Sequence, residues 1–340
     1  MINMNPEISV ILPCYNVALY IDRCIKSLLN QTFQEFEIIC INDGSTDKTL
    51  EKLQDWQKKW DKIKVYTFEN QGLSQARNEG IYKAKGNYLY FLDPDDYIES
   101  SCLEVAYRTC EEDKSDAVQF RYRSVIDDTN SAGWARNGNK KPKIYSNSEI
   151  ITELLPRFIG YSNLKVSSFG TSYFFSDTEM NSVWRFLYKR EIIIDNHILF
   201  PRNVKLIEDK IFNSIFFCFS KKISVINDIL YVYVLKQSGL MYSSLKNNTS
   251  IIKDKLDGIS ERKKIRQLYI KVHGIDIFPL YAGSLFFSGL ELGTKISYKW
   301  SNIKEFKRYY QNNDVQEAIK IIPIKGNLKI KLVLYLKKGH

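Results

Sequence analysis

The sequence predicts an α/β chain: a mostly parallel central sheet with helices on both faces, followed by a mainly helical C-terminal region. Three observations predict it. Short apolar runs bounded by turn residues alternate with helix-period stretches through the first 120 residues. Beyond residue 247 the apolar spacing is mostly helical. The 340 residues are 44% hydrophobic, 26% charged and 14% aromatic, enough apolar material for a large buried core.

The elements follow in order. Residues 8–12, Ile-Ser-Val-Ile-Leu, form a buried strand. Apolar positions at Ile21, Cys24, Ile25, Leu28 and Leu29 repeat at helical spacing, so a helix comes next. Residues 37–42 are a second strand, a turn at 44–47 leads into a helix over 48–60, and 63–68 is a third strand. Gly72-Leu73-Ser74 opens a helix that runs to about residue 84 and is stopped by Gly86. Residues 88–92 make a fourth strand, 99–113 a helix and 117–121 a fifth strand. Strand and helix in alternation mean βαβ units. The chain turns polar over 127–143, which predicts a long loop. Periodicity returns weakly at 150–159 and 183–194, then clearly as a helix over 209–219 and a strand over 229–235.

Composition excludes several classes. The six cysteines, at 14, 24, 40, 102, 110 and 218, form no C-x-x-C pair, which argues against a disulfide framework or zinc site and for a reducing compartment. Three histidines, at 197, 273 and 340, are too few for a histidine-based metal centre. Residues 1–7 carry no positive charge and the first apolar run is too short for a secretion signal. No run of about 18 apolar residues is present, so the chain is not expected to span a membrane.

The net charge of +10 is unevenly placed. Residues 1–235 sum to −2 and residues 236–340 to +12. The C-terminal part therefore suits an acidic partner or surface, or presents a solvated basic face. Lysines at 325, 329, 331, 337 and 338 alternate with apolar residues, and Arg262, Lys263, Lys264 and Arg266 form a second cluster. Such a pattern can lie on an anionic leaflet or pack as a terminal element with its lysines outward. No nucleic-acid-binding motif is present.

In a parallel sheet the residues just after each strand share one edge, where ligands bind. Two acidic groups fall there: Asp43 after the second strand and Asp93-Pro94-Asp95-Asp96 after the fourth. Three carboxylates in four residues repel unless something positive lies between them. Hard oxygen donors suit Mg²⁺ or Mn²⁺, whose shell phosphate oxygens complete. Taken singly, each is also an ordinary turn, the second with an N-capping Asp. The first strand is followed by Pro13-Cys14-Tyr15-Asn16-Val17-Ala18, with neither the dinucleotide-binding glycines nor a P-loop, which disfavours hydride transfer and NTP hydrolysis.

Four motifs in order resemble family 2 glycosyltransferases of the GT-A fold, of the bacterial polysaccharide, capsule and lipooligosaccharide kind. They are residues 11–16 (ILPCYN), 41–47 (INDGSTD), 70–78 (NQGLSQARN) and 91–96 (FLDPDD). A later stretch, 184–190 with Phe200-Pro201 and Glu208-Asp209, resembles the acceptor half of that family. The resemblance implies a nucleotide-sugar-binding half over 1–120, an acceptor-binding half of the same domain over 121–246, and a separate basic region over 247–340. Pro13, Tyr15 and Asn16 would line the nucleoside pocket, with Tyr15 beside the base. Asp43 would bind the base, usually uracil, and Gly72 and Arg77 would sit near it. Asp93 and Asp95 would contact the donor, Asp95 and Asp96 would hold Mn²⁺ or Mg²⁺, and Asp209, with Glu208 beside it, would be the general base. Trp184 and Arg185 would face the acceptor. Arg185 stands where the family often has Asn followed by Lys, and Trp184 can equally be core.

The implied reaction moves a hexosyl or N-acetylhexosaminyl group from a nucleoside diphosphate sugar, expected to be UDP-linked, to a hydroxyl of a glycan or lipid-linked glycan, with inversion. The implied location is cytoplasmic, with peripheral attachment at the inner membrane face. A nucleotidyltransferase of related layout would carry a Gly-rich basic loop after the first strand, which is lacking. A catalytically dead sugar-nucleotide-binding protein would not need the intact carboxylates.

Overall fold

The computed structural model describes residues 6–126, 142–159, 182–202, 204, 207–235, 248–279, 282, 285 and 307–321. The chain packs as two units. The first comprises residues 1–150, 182–202 and 219–237; the second comprises 151–181, 203–218 and 238–340. The expected segments 1–120, 121–246 and 247–340 cut across these units, because strands from 117–126, 186–189 and 222–235 complete the sheet begun by the N-terminal strands.

The first unit is a nine-stranded sheet in the order β3-β2-β1-β4-β8-β6-β9-β5, with β7 also paired to β9. The strands are β1 (Ile8–Cys14), β2 (Phe36–Asp43), β3 (Ile63–Phe68), β4 (Tyr88–Phe91), β5 (Tyr97–Ile98), β6 (Ala117–Ile126), β7 (Lys143–Ser146), β8 (Phe186–Lys189) and β9 (Lys222–Leu235). β1, β2, β3 and β4 run parallel, and β6 and β9 run parallel to each other. β8 is antiparallel to both β4 and β6, which aligns the two sets. The sheet is thus mostly parallel, with β5, β7 and β8 reversed. Helices α1 (Ile21–Leu29), α2 (Thr49–Lys59), α3 (Leu73–Lys83) and α4 (Cys102–Asp113) connect the strands.

Local chemistry explains these elements. β1 and β2 are buried along their whole lengths, as central parallel strands must be. α1 buries Ile21, Cys24, Ile25 and Leu28, the expected stripe. Pro13 lies in a central strand, where proline is usually excluded. The carbonyl of Ile11 faces β4, accepting from the Leu92 N–H, and a strand repeats every second residue. Pro13 therefore faces the same side, beyond the register that ends at Ile11 and Phe91, and its missing N–H breaks no ladder bond. α3 lies close on β1: a side chain at Gly80 would come within 2.3 Å of Ile11 Cγ2.

The structure departs from the sequence expectation in four places. α4 starts at Cys102 rather than 99, because Tyr97–Ile98 pairs with β9 and the Glu99 N–H donates to the Leu230 carbonyl. β9 begins seven residues before the expected strand, its polar first half holding β6 and β7. The weak period at 183–194 resolves into a 3₁₀ turn (Val183–Arg185), β8 and helix α5 (Arg190–Asp195). The stretch at 150–159 contains a π-helical turn, Ile150–Leu154. The expected loop over 127–143 lies almost wholly outside the described residues, as does the basic tail 324–340.

The second unit contains helices α6 (Glu208–Phe219), α7 (Asn248–His273) and α8 (Asn313–Ile321), helical as expected. Within it Tyr269 Oη donates to the Ser214 carbonyl at 2.9 Å and a His273 ring nitrogen lies 2.7 Å from the Cys218 carbonyl. Arg266 bridges Asp276 at 2.6 Å and Glu317 at 3.2 Å, so part of the basic cluster is committed internally. Among the described residues no helix is long and apolar enough to cross a membrane.

Candidate active site

The chain passes from β1 through β2 to β3 on one side and returns to place β4 on the other side of β1. The reversal creates a crevice at the carboxyl ends of β1 and β4. The loop after β1 carries Tyr15 and Asn16, and the turn after β4 is Asp93-Pro94-Asp95-Asp96. Asp43 ends β2, the next strand over, so all three groups share one edge.

Hydrogen bonds between loops make this rim rigid. Asn16, at φ +51°, accepts on Oδ1 from the Thr46 N–H at 2.8 Å and the Asp47 N–H at 3.3 Å. The Val17 N–H donates to Thr49 Oγ1 at 2.8 Å, and the Ala18 N–H to Asp47 Oδ2 at 3.1 Å. Asn16 is thus a loop organiser, with its carbonyl oxygen spent on backbone. Tyr15 beside it is 49% exposed, available for a flat ligand to stack upon. Pro13 is buried in β1 and shapes the rim through its strand.

Asp43 is buried and accepts from the Gln71 N–H at 2.8 Å and the Gly72 N–H at 2.9 Å, one on each oxygen. It therefore fixes the entry to α3, where Gly72 sits at φ +89° and accepts the first helical N–H groups. A carboxylate has about four lone-pair sites, so acceptor capacity remains. Five residues along α3, Arg77 reaches Asp93: Nη2 lies 2.9 Å from Oδ1, and the buried guanidinium sits over the Phe200 ring at 5.2 Å. Asn78 exchanges two hydrogen bonds with the Phe200 backbone, at 2.8 and 3.0 Å. One helix so connects Asp43, Asp93 and the 200 segment.

The acidic turn is held from three directions. Arg77 binds Asp93, Arg23 Nη2 donates to the Asp95 carbonyl at 3.0 Å, and Asp96 reaches β9. Asp96 is 1% exposed; its Oδ2 accepts from Tyr231 Oη and its Oδ1 from the Val234 N–H at 2.7 Å. Burial, then the adjacent Asp95 and Asp93 charges, push its pKa well above the carboxylate range, and the two donors only partly offset this. Burial and the same three carboxylates push Tyr233 up to about 12. Asp95 is half-buried. The structure thus brings Tyr15, Asp43, Gly72, Arg77, Asp93 and Asp95 to one rim and puts Asp96 beneath it.

Among the described residues no three His, Cys, Asp or Glu side chains could by themselves hold a metal ion. A small divalent cation bound through one or two carboxylates and substrate phosphates needs no such cage, and the partly exposed Asp93 and Asp95 fit that arrangement.

Two acceptor expectations meet a different environment. Trp184 is 3% exposed, stacked on Tyr231 at 4.0 Å and 12°, with Tyr122 edge-on at 5.1 Å. Its ring is core packing behind β9. Arg185 is also buried, donating from Nε to the Phe120 carbonyl at 3.2 Å. Glu208 and Asp209 open α6 in the second unit, both half-buried. Sequence reasoning missed Arg23 and Tyr231. The Tyr231-Val232-Tyr233 alternation marked a half-buried strand but not which tyrosine met a carboxylate.

A parallel sheet with its acidic turn at the switch point, extended by a reversed strand, is a GT-A α/β fold. The family model "Glycosyl transferase family 2" matches residues 9–180, and the chain belongs to that family. It is 32% identical over 239 residues to the uncharacterized glycosyltransferase EpsJ of Bacillus subtilis, across 68% of this chain and 61% of that protein. It is 31% identical over 237 residues to a poly(ribitol-phosphate) beta-glucosyltransferase of Bacillus spizizenii, across 68% of this chain and 33% of that protein. The matches thus span less than two thirds of each relative. Among solved structures it resembles Staphylococcus aureus TarS 1-349 in complex with UDP-GlcNAc, at TM-score 0.69 and 20% identity, covering 98% of this chain and 88% of that one.

Proposed function

We propose that this chain is an inverting glycosyltransferase that moves a hexosyl or N-acetylhexosaminyl group from a UDP-sugar to a hydroxyl of a glycan or lipid-linked glycan in surface polysaccharide synthesis. The observation that carries it is the Arg77–Asp93 pair, which fixes an acidic turn at the switch-point crevice beside the exposed Tyr15. The relative named as a poly(ribitol-phosphate) beta-glucosyltransferase and the structural neighbour's bound UDP-GlcNAc favour a UDP donor and a polymer acceptor.

On this reading Tyr15 stacks on the base and Asp43 accepts from it with its remaining lone pairs. Asp95 would hold a Mn²⁺ or Mg²⁺ ion, with Asp93 alongside. Such an ion, when bound, supplies Lewis-acid stabilisation of the leaving diphosphate, worth several kcal/mol. Asp209 takes the proton of the acceptor hydroxyl as its oxygen bonds the anomeric carbon and the carbon–phosphate oxygen bond breaks. Attack from the face opposite the diphosphate inverts the centre. Base catalysis of this kind contributes about 10²–10⁴ in rate. Asp209→Asn is therefore expected to lower kcat by about that factor while UDP binding by calorimetry is unchanged. Near-normal transfer would rule out the role. Attachment to an anionic inner leaflet through the basic region 247–340 belongs to the same proposal. Flotation with phosphatidylglycerol vesicles tests it, and loss on deleting residues 324–340 is the expected result.

A further inference from the structure

Asp96 was expected at the metal, yet its environment is that of an anchor. Its side chain is 1% exposed, and both oxygens are engaged by donors from one strand, Tyr231 Oη and the Val234 N–H. The same strand pairs with the residues that follow: Tyr97 opposite Val232 and Ile98 opposite Tyr231. Tyr231 is itself fixed, fully buried and stacked on Trp184 at 4.0 Å. At the other end of the turn the Asp96 N–H closes on the Asp93 carbonyl, and Asp93 is gripped by Arg77. Asp93 and Asp95 are thus bracketed between α3 and β9.

We propose that Asp96 is a positioning residue and not a metal ligand: with Tyr231 it ties the acidic turn to β9, and thereby sets where Asp95 and Asp93 meet the donor. The inference rests on the proposed transferase reading. The physical argument is one of engagement. A carboxylate bound to a cation must turn lone pairs toward it and toward water or phosphate. Each oxygen of Asp96 faces a donor on β9, and at 1% exposure its remaining lone pairs have no solvent-facing side on which a cation and its water or phosphate ligands could sit. Releasing either donor would leave a buried polar group unpaired, which is unfavourable. Displacement of reacting groups by about 1 Å can cost about 10²-fold in rate, so loosening this tie acts on turnover. Trp184 belongs to the same device by holding the Tyr231 ring.

The test uses the full chain and the variants Asp95→Asn, Asp96→Asn, Asp96→Ala and Tyr231→Phe. Mn²⁺ binding in the presence of UDP is read by electron paramagnetic resonance, alongside kcat and donor KM. Thermal unfolding shows which variants are folded. Asparagine can still accept from the Val234 N–H while its amide donates to Tyr231 Oη, so Asp96→Asn is the conservative rescue. The expected result is Mn²⁺ affinity within about threefold of wild type for Asp96→Asn and Tyr231→Phe, and loss of binding for Asp95→Asn. Turnover should fall about tenfold in Tyr231→Phe with donor KM nearly unmoved, and Asp96→Asn should recover at least about tenfold over Asp96→Ala. Loss of Mn²⁺ binding in Asp96→Asn to the level of Asp95→Asn would overturn the proposal, as would wild-type kcat in Tyr231→Phe. If wild type shows no UDP-dependent Mn²⁺ binding, the transferase reading falls and this inference with it. That outcome differs from one in which only the Asp96 variants fail.

Discussion

Glu37 at one edge of the sheet and Asp96 at the other are both buried, and the two carboxylates are treated in opposite ways. At the edge away from the crevice, where β1 and β2 begin, Glu37 meets Lys64 at 2.6 Å, Ser9 at 2.7 Å and the Lys85 N–H at 2.9 Å. Burial raises its pKa, but these donors outweigh burial and hold it below the usual range. At the crevice edge Asp96 is given no cation in direct contact and two acidic neighbours, and its pKa goes up. The first edge pairs its charge fully and ties three chain segments together. The second gathers three carboxyl groups in one turn held by neighbouring elements, with Asp93 paired to Arg77 and Asp96 buried. On the proposed reading a cation-bridged diphosphate meets the partly exposed Asp93 and Asp95.

The contrast predicts that the crevice edge governs kinetics and the far edge governs stability. The largest effect belongs to Asp95→Asn: a fall in kcat of about 10²–10³, with the unfolding midpoint in denaturant unchanged. A matching loss of stability would break the contrast. Glu37→Gln should do the reverse, lowering stability by about 1–3 kcal/mol while leaving kcat and donor KM alone; the partial exposure of Lys64 keeps the loss toward the lower value. Its sign with pH is fixed. Because the folded-state pKa of Glu37 is depressed, its contribution is complete above the ordinary glutamate value of about 4.3 and is lost as pH falls through the lower folded value. Melting curves of wild type and Glu37→Gln should therefore begin to converge as pH falls below about 4.3 and meet only below the depressed folded value. Gly72 touches both stability and turnover. Its φ of +89° with ψ of 166° is a conformation for glycine, and nothing lies within 4 Å of where a Cβ would be. Gly72→Ala should cost about 1–3 kcal/mol, from backbone strain alone, with a modest loss of turnover through the displaced Asp43 bond.

Much of this was legible in the chain. The first four strands and their helices follow from apolar runs and periodicity, because parallel strands buried on both faces leave a continuous signal. The rim followed too, since strand ends in a parallel sheet fall on one edge. What escaped was set by distant partners. β8 is four residues long and is a strand only because it lies between β4 and β6. The first half of β9 alternates only over Lys222-Ile223-Ser224-Val225 and then meets Asn227-Asp228, which reads as a turn. The sequence places Asp93, Asp95 and Asp96 side by side, with Asp95 and Asp96 both expected at a metal. Only the contact between Asp96 and Tyr231, 135 positions apart in sequence and closed by the fold, separates their roles. The sequence leaves Trp184 open between acceptor and core for the same reason: the two kinds of tryptophan look alike until Tyr231 is seen stacked upon it.

The central claim is that the crevice between β1 and β4 binds a nucleotide diphosphate through a cation-assisted acidic turn. The most direct measurement offers the purified chain a panel of nucleotide sugars and identifies the released product, with and without chelator. Release of UDP that requires a divalent cation and stops on chelation is the predicted result. Release of pyrophosphate, or turnover indifferent to chelator, would contradict it.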